Sequence, residues 1–124
     1  MNAYETPTSK VLPPRSTRFV VATSEGRVYL RMNEVEHLWA EGGYTTVHCT
    51  NGTRYLVCKH LGAMEKDLPN DHFFRCHHTH LINLTKVVKT FRTDGMRVQM
   101  ENGKMISVSR RRWSALAMAL ERLL

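Results

Sequence analysis

The chain has 124 residues, 42% of them hydrophobic, which is enough for one domain with a buried core. No apolar run approaches the ~20 residues that a membrane-spanning helix needs, and the first residues lack the apolar core of a signal peptide. The cysteines, Cys49, Cys58 and Cys76, are too widely spaced to indicate a disulfide framework. The composition therefore argues against membrane proteins and disulfide-rich secreted proteins, and we expect a cytoplasmic domain without a membrane partner.

Basic residues are concentrated in the second half of the sequence. Eighteen lysine and arginine residues against eleven aspartate and glutamate residues give a net charge of +7. Residues 71–124 hold ten of the basic residues, only four of the acidic ones and four of the seven histidines. Such a local excess is typical of a protein that binds a polyanion. The alternative is a solvated basic surface without a specific partner, and charge alone does not separate the two.

The pattern along the chain predicts a tail and then mainly strands. Residues 1–17 are rich in proline, serine and threonine, which indicates a flexible tail or linker. Alternating hydrophobicity and turn dipeptides predict strands at 19–23, 27–30, 34–41, 44–50, 54–58, 86–92, 96–100 and 104–108. Helical spacing predicts helices within 59–68 and over 111–124. We therefore expect a mainly β fold of small packed antiparallel β-sheets with two short helices.

Two details of these elements can be checked directly. Alternation in the strand over 34–41 places Val35, His37 and Trp39 on one face. Ser109 is the predicted N-cap of the last helix.

The most informative segment begins at Phe74. Three strand-like residues, 74–76, run into four polar side chains, His77, His78, Thr79 and His80. Imidazole rings donate and accept hydrogen bonds, and threonine adds a hydroxyl. A group of donors and acceptors at the end of a strand is suited to hydrogen bonding with the edge of another molecule. The same group of side chains could also hold a metal ion or form a polar turn.

A metal site or an enzyme is the weaker interpretation. Cys76, His78 and His80 alternate and could share a strand face, but no second pair with zinc-ligand spacing accompanies them. The sequence has no glycine-rich phosphate loop after a strand and no Gly-x-Ser-x-Gly, and its acidic residues are scattered. We expect no catalytic residues, no metal and no cofactor.

An arginine cluster lies between the last predicted strand and the last helix. Ser109 is followed by arginine at residues 110–112. A guanidinium group reads guanine bidentately and also grips phosphate. Three arginines at a helix start are electrostatically unfavourable unless an anion docks there. The alternative is that two of them pair with acids such as Glu36 or Glu41.

A smaller signal is the tight loop Glu41-Gly42-Gly43-Tyr44. It either projects the Tyr44 side chain outward or forms a hairpin turn with Tyr44 packed on the sheet. The sequence leaves both possibilities open.

Four stretches, in this order, resemble the LytTR family of bacterial DNA-binding domains, and the resemblance covers residues 18–123. They are Trp-Ala-Glu-Gly-Gly-Tyr at 39–44, the short helix at 61–68, the central segment at 73–84 and Val-Ser-Arg-Arg at 108–111. The chain departs from the family in the centre, where His78-Thr79-His80 stands in place of the usual Arg-Ser-Tyr. Histidine at position 78 shortens the reach and removes a permanent charge.

The resemblance implies that residues 18–124 form a LytTR-like domain that binds double-stranded DNA through loops entering neighbouring major grooves. It implies paired repeat sites, a possible homodimer on DNA, and either a stand-alone regulator or a domain from a response regulator of a two-component system. The implied base contacts are Tyr44, His78 and Arg110, and the implied backbone contacts are Thr79, Ser109, Arg111 and Arg112. His77 and Asn83 are assigned to structure. The alternative is a protein-binding regulatory module of the same fold with weak or no DNA affinity.

Overall fold

The computed structural model of the chain describes residues 18–124, and the tail expected at 1–17 lies outside them. The described residues form ten strands in three antiparallel sheets, together with two helices. The strands are β1 Arg18–Thr23, β2 Gly26–Arg31, β3 Val35–Glu41, β4 Tyr44–Cys49, β5 Arg54–Val57, β6 Phe73–His77, β7 His80–Asn83, β8 Val87–Phe91, β9 Arg97–Met100 and β10 Met105–Ser107. The helices are α1 Leu61–Asp67 and α2 Trp113–Arg122. The expected mainly β fold with two short helices is confirmed.

A five-stranded sheet, in the order β5-β4-β3-β7-β6, forms the centre of the domain. One of its faces is covered by α1 and by the two-stranded sheet β1-β2, and the core between them is apolar.

 The buried residues of this first core include Val21, Leu30, Val35, Leu38, Val47, Leu61, Met64 and Leu81. Burying side chains of this size contributes about 1.5–3 kcal/mol each, so this core anchors both the hairpin and the helix.

The opposite face of the sheet is divided between two kinds of surface. Over β6 and β7 it packs against α2 and the three-stranded sheet β10-β9-β8, with Cys76, Ile82, Val98, Met100, Ile106 and Leu116 buried between them. Over β3 and β4 the same face carries histidines and Trp39 instead of aliphatic side chains. The second core therefore stops where the polar cluster begins.

A bulge in β3 corrects one expectation. Val35 pairs with Cys49 and His37 pairs with His48, so the register shifts between Val35 and His37. His37 and Trp39 share a face as expected, but Val35 points into the first core on the other side. The prediction that Val35 shares this face was wrong, because one extra residue in a bulge reverses the alternation of side chains.

The start of α2 also differs from the prediction. Residues Arg110–Arg112 form a 3₁₀ turn, and α2 begins only at Trp113. Ser109 precedes the 3₁₀ turn, but its side chain makes no capping hydrogen bond. In residues 18–124 no helix is long and apolar enough to cross a membrane.

Candidate nucleic-acid interface

Three turns that the sequence singled out lie at one end of the five-stranded sheet. Trp39 pairs with His80, so β7 begins where β3 ends, and the Ala40 N–H donates to the Thr79 carbonyl at 2.8 Å. The Ser109 N–H donates to the Cys76 carbonyl at 2.8 Å, which brings the arginine turn to the same end. The β3–β4 turn, the β6–β7 turn and residues 109–112 therefore form one surface, which we call the turn end.

The β3–β4 turn presents Tyr44. Glu41 pairs directly with Tyr44 across a two-residue turn, and Gly42 adopts a φ of +62°, which a residue without a Cβ reaches at no steric cost. The Tyr44 side chain is 46% exposed, so it is not packed into the core. The Glu41 carboxylate accepts a hydrogen bond from the Thr46 hydroxyl at 3.2 Å.

Arg75 stabilises the β6–β7 turn through hydrogen bonds of its side chain. Its Nη2 donates to the His78 carbonyl at 2.6 Å, and its Nη1 donates to Glu65 Oε1 on α1 at 3.1 Å. Two charge-assisted contacts from one planar guanidinium fix both the turn and the helix. The His78 side chain itself stays exposed at the turn.

Thr79 also stabilises this turn, through hydrogen bonds to the histidines on either side of the turn. Its hydroxyl lies 2.8 Å from His77 Nδ1 and 2.9 Å from His80 Nδ1, and its N–H donates to His77 Nδ1 at 3.2 Å. Because His77 Nδ1 accepts from an N–H, it carries no proton in this arrangement and the ring is neutral. Desolvation lowers the pKa of His77, with further contributions from His78 and Arg112.

A histidine–tryptophan cluster, made of His37, Trp39, His48 and His80, lies beside the turn end. The rings of His37 and His48 stack with centroids 4.4 Å apart, and those of Trp39 and His80 stack at 5.7 Å. Lys104, from the β9–β10 turn, places its Nζ 5.7 Å from the Trp39 ring centroid. The cluster therefore joins the central sheet to the three-stranded sheet.

This cluster disfavours protonation. Burial, together with smaller contributions from neighbouring histidines and Lys104, lowers the pKa of His37 to about 3 and that of His80 to about 4. Burial and the charges of Arg54 and Lys104 also lower the pKa of His48. His37 is fully buried, and neither of its ring nitrogens has a hydrogen-bond partner among the described residues.

The arginine turn is largely free of internal partners. Arg110 and Arg111 are exposed, whereas Arg112 Nη1 donates to the Arg75 carbonyl at 2.8 Å. The Ser109 hydroxyl is buried and, within residues 18–124, has no hydrogen-bond partner. No ion pair joins these arginines to an acid in that part of the chain.

The acids considered as alternative partners are engaged elsewhere. Glu36 is buried, and its Oε1 accepts from the Asn102 N–H at 3.4 Å. Burial raises the pKa of Glu36. Glu41 accepts from Thr46, as described above.

The residues considered for a metal site do not converge. Cys76 lies in a bulge of β6 and is buried in the second core, where its thiol donates to the Ser107 carbonyl at 3.7 Å. Burial raises the pKa of Cys76 to about 12, which disfavours the thiolate that a metal would bind. His78 is exposed and His80 stacks on Trp39. Among the residues that the structure describes, no three His, Cys, Asp or Glu side chains are arranged to hold a metal ion.

The structural role of Asn83 is confirmed. Its amide nitrogen donates to the carbonyls of Met32 at 3.0 Å and Val35 at 2.8 Å, and its Oδ1 accepts from the Thr85 N–H and hydroxyl. These bonds tie the end of β7 to the start of β3.

Two residues that support the turn end or the cluster beside it, Arg75 and Lys104, were missed from the sequence. Arg75 stands among apolar residues on a strand. This position in the sequence indicates a charged side chain that faces inward and has a fixed partner. Lys104 gives no such signal, because its position over Trp39 depends on how two sheets pack.

Comparison with known proteins agrees with this architecture. No curated protein matches the chain. Among solved structures, the LytTr DNA-binding domain of a protein from Bacillus cereus, described as a methyl-accepting/DNA response regulator, superposes with a TM-score of 0.72. It shares 23% sequence identity, and the match covers 84% of this chain and 96% of that one, which shows a common fold. The family model of the LytTr DNA-binding domain matches residues 25–121. The chain belongs to the LytTR family of DNA-binding domains.

Proposed function

We propose that this DNA-binding domain recognises a specific double-stranded sequence through its turn end and regulates transcription. The observation that carries the proposal is the convergence of three turns with exposed hydrogen-bonding or cationic side chains at one end of a rigid sheet. Tyr44, His78 and Arg110 are the proposed base contacts. Each comes from a different turn, so the fold sets their spacing rather than a flexible loop.

The dimensions of the turn end support this proposal. The strands β4 and β6 are three strand spacings apart in the sheet, which corresponds to about 14 Å. A major groove is about 12 Å wide, so the turns at the ends of these strands match the scale of one groove. Arg110 lies beyond β6 and extends the surface further.

The side chains supply complementary chemistry. Arginine reads guanine bidentately, whereas the imidazole of His78 and the phenol of Tyr44 can each donate and accept a hydrogen bond. Histidine at position 78 gives a shorter reach than arginine, so recognition there requires closer approach of the β6–β7 turn. Arg75 and Thr79 hold that turn and reduce the ordering that binding requires.

The proposed contacts to the DNA backbone are Ser109, Arg111 and Arg112, together with Thr79, whose hydroxyl would exchange its hydrogen bond to His77 for one to a phosphate oxygen. Arg112 uses one of five N–H donors within the protein, which leaves others for phosphate. The Ser109 hydroxyl is buried and has no hydrogen-bond partner within residues 18–124, which costs about 1–3 kcal/mol. A small movement of the turn toward a phosphate would give this hydroxyl a partner.

We extend the proposal to the biological context that the family implies. The domain would occupy paired repeats, with a possible homodimer formed on DNA, and act in the cytoplasm as part of a response regulator or as a stand-alone regulator. LytTR is a family of DNA-binding domains and not a family of enzymes. Neither catalysis nor a cofactor is part of the proposed function.

A salt titration on duplex DNA tests the proposal. If the turn end neutralises about five phosphates, the logarithm of the binding constant should fall with the logarithm of salt concentration at a slope of roughly −4 to −5. A duplex with paired repeats selected from random DNA should bind more tightly than a shuffled duplex at every salt concentration. A slope near zero, or no binding at low salt, would favour the protein-binding alternative.

A further inference from the structure

The outer face of the β1-β2 hairpin is a second basic surface, separate from the turn end. Burial alternates along β1 and, from Arg27 onward, along β2, so Phe19, Val21, Val28 and Leu30 face the first core. The opposite face carries three cross-strand pairs, which are Arg18 with Arg31, Val20 with Tyr29 and Ala22 with Arg27. We call these six residues the hairpin face.

The hairpin face combines exposed apolar groups with unpaired charge. Tyr29 is 62% exposed and Val20 is 45% exposed, and they lie directly opposite each other. Arginines 18, 27 and 31 surround them, and in residues 18–124 none of the three forms an ion pair. Like charges directly opposite on a sheet are destabilising, so the pairing of Arg18 with Arg31 does not serve the stability of the hairpin.

The direction of the hairpin face separates it from the proposed DNA contacts. The inner side of the hairpin packs on one face of the five-stranded sheet, so its outer side points away from that sheet. The turn end, by contrast, lies where β3 and β6 end and β4 and β7 begin. A duplex docked on the turn end would therefore leave the hairpin face uncovered.

Size and charge define what the hairpin face can bind. The six residues span five positions along each strand and make a surface about 15 Å long and about 10 Å wide. This is roughly a fifth of the ~800 Å² that each partner buries in a standard interface. A second copy of the chain would also bring arginines against arginines, so the surface fits a short, negatively charged segment rather than a dimer.

The apolar centre argues for a protein ligand. Contacts to a phosphate backbone need cations and hydrogen-bond donors but no exposed valine. Tyrosine and arginine, with tryptophan, are the residues enriched among the anchors of protein interfaces. We propose that the hairpin face docks a short acidic segment of a partner protein, with carboxylates on the three arginines and an apolar side chain against Tyr29 and Val20. This interaction is independent of the proposed function of the turn end.

A synthetic octapeptide in which Asp or Glu alternates with Leu or Phe provides a defined probe. Titrated into the ¹⁵N-labelled full chain, it should bind with a dissociation constant of about 10–100 μM and shift the amide resonances of residues 18–31. A peptide with Asn and Gln in place of the acids should bind at least about ten-fold more weakly. Equal binding of the two peptides, shifts confined to the turn end, or no binding up to about 1 mM would overturn the proposal.

Variants separate the two basic surfaces. Arg27→Glu and, independently, Tyr29→Ser should weaken the octapeptide about ten-fold while changing duplex DNA affinity less than about two-fold at physiological salt. Arg92→Glu, an exposed charge reversal outside the hairpin, is the matched control and should leave peptide binding unchanged. Arg27→Gln serves if the charge reversal impairs folding. If the hairpin variants weaken duplex DNA as much as the peptide, the hairpin face belongs to the nucleic-acid interface and the proposal is wrong.

Discussion

Burial distinguishes residues that look equivalent in the sequence. His78 and His80 stand two positions apart in the same polar run, and both could have faced a ligand. In the fold His78 is exposed at the turn, whereas His80 stacks on Trp39 with its pKa lowered to about 4. The sequence shows the run of donors and acceptors, but which imidazole faces outward depends on the bulge in β6 and on the neighbouring strand β3.

Replacing Arg110 with alanine tests the proposed base contact. The change should cost about 1–3 kcal/mol in binding to the preferred duplex, because a bidentate contact to a base edge is lost. It should cost less on random DNA, so sequence preference should relax. Competition titrations with preferred and shuffled duplexes would measure both effects.

Arg111→Ala is the matched comparison for Arg110→Ala. Both side chains are exposed in the same 3₁₀ turn, but the proposed partner of Arg111 is the DNA backbone. Its loss should weaken all duplexes to a similar extent and make the salt slope shallower by about 1. Identical, sequence-independent losses for the two variants would remove Arg110 from the base contacts.

At the scale of elements, turn chemistry made the hairpins predictable. Asn51-Gly52 and Asn102-Gly103 lie in turns, and both glycines adopt positive φ. The bulges in β3 and β6 could not be predicted, because they depend on how each strand fits its two neighbours. The 3₁₀ turn before α2 escaped prediction as well, since three arginines in a row look like the first turn of the helix.

The β6–β7 turn gives a prediction about local stability. Thr79→Val keeps the shape of the side chain but removes the hydroxyl that bonds His77 and His80. The free energy of unfolding should fall by about 1–3 kcal/mol, because two half-buried ring nitrogens lose a partner. Urea unfolding monitored by tryptophan fluorescence would measure the change.

Thr79→Ser is the control for this substitution, since it retains the hydroxyl and should restore most of the stability. A merely steric role for Thr79 predicts the opposite order, in which valine is tolerated and serine destabilises. Wild-type stability in the valine variant would show that the hydroxyl does not brace the turn.

At the scale of the whole molecule, two apolar cores and a polar cluster share one central sheet. The apolar cores were predictable from alternation, whereas the cluster of imidazoles was not, since His37, His48 and His80 lie on three different strands. Their assembly leaves His37 buried at the junction of two sheets, with no hydrogen-bond partner for its ring among residues 18–124. The junction should therefore be the part of the domain most sensitive to acid.

The domain should lose stability as the pH falls from about 6.5 toward about 4. Histidines of the unfolded chain bind protons near pH 6.5, whereas the folded protein lowers the pKa of His37, His48, His77 and His80. In this window the unfolded state binds more protons, so acid favours unfolding. Glu36 acts in the opposite direction, because its raised pKa lets the folded state take up a proton first. Four histidines against one carboxyl group make the net effect destabilising.

His37→Phe tests the origin of this acid sensitivity. Phenylalanine can stack on His48 as the imidazole does, and it removes two buried ring nitrogens that have no partner among the described residues. The free energy of unfolding should change little near pH 7.5, and its decline toward pH 4.5 should become shallower by up to about 1.4 kcal/mol per pH unit. Urea unfolding at constant ionic strength would measure both slopes, with His60→Gln, at an exposed position before α1, as the matched control. Equal slopes for the wild type and His37→Phe would mean that the buried imidazole is not what makes the fold sensitive to acid.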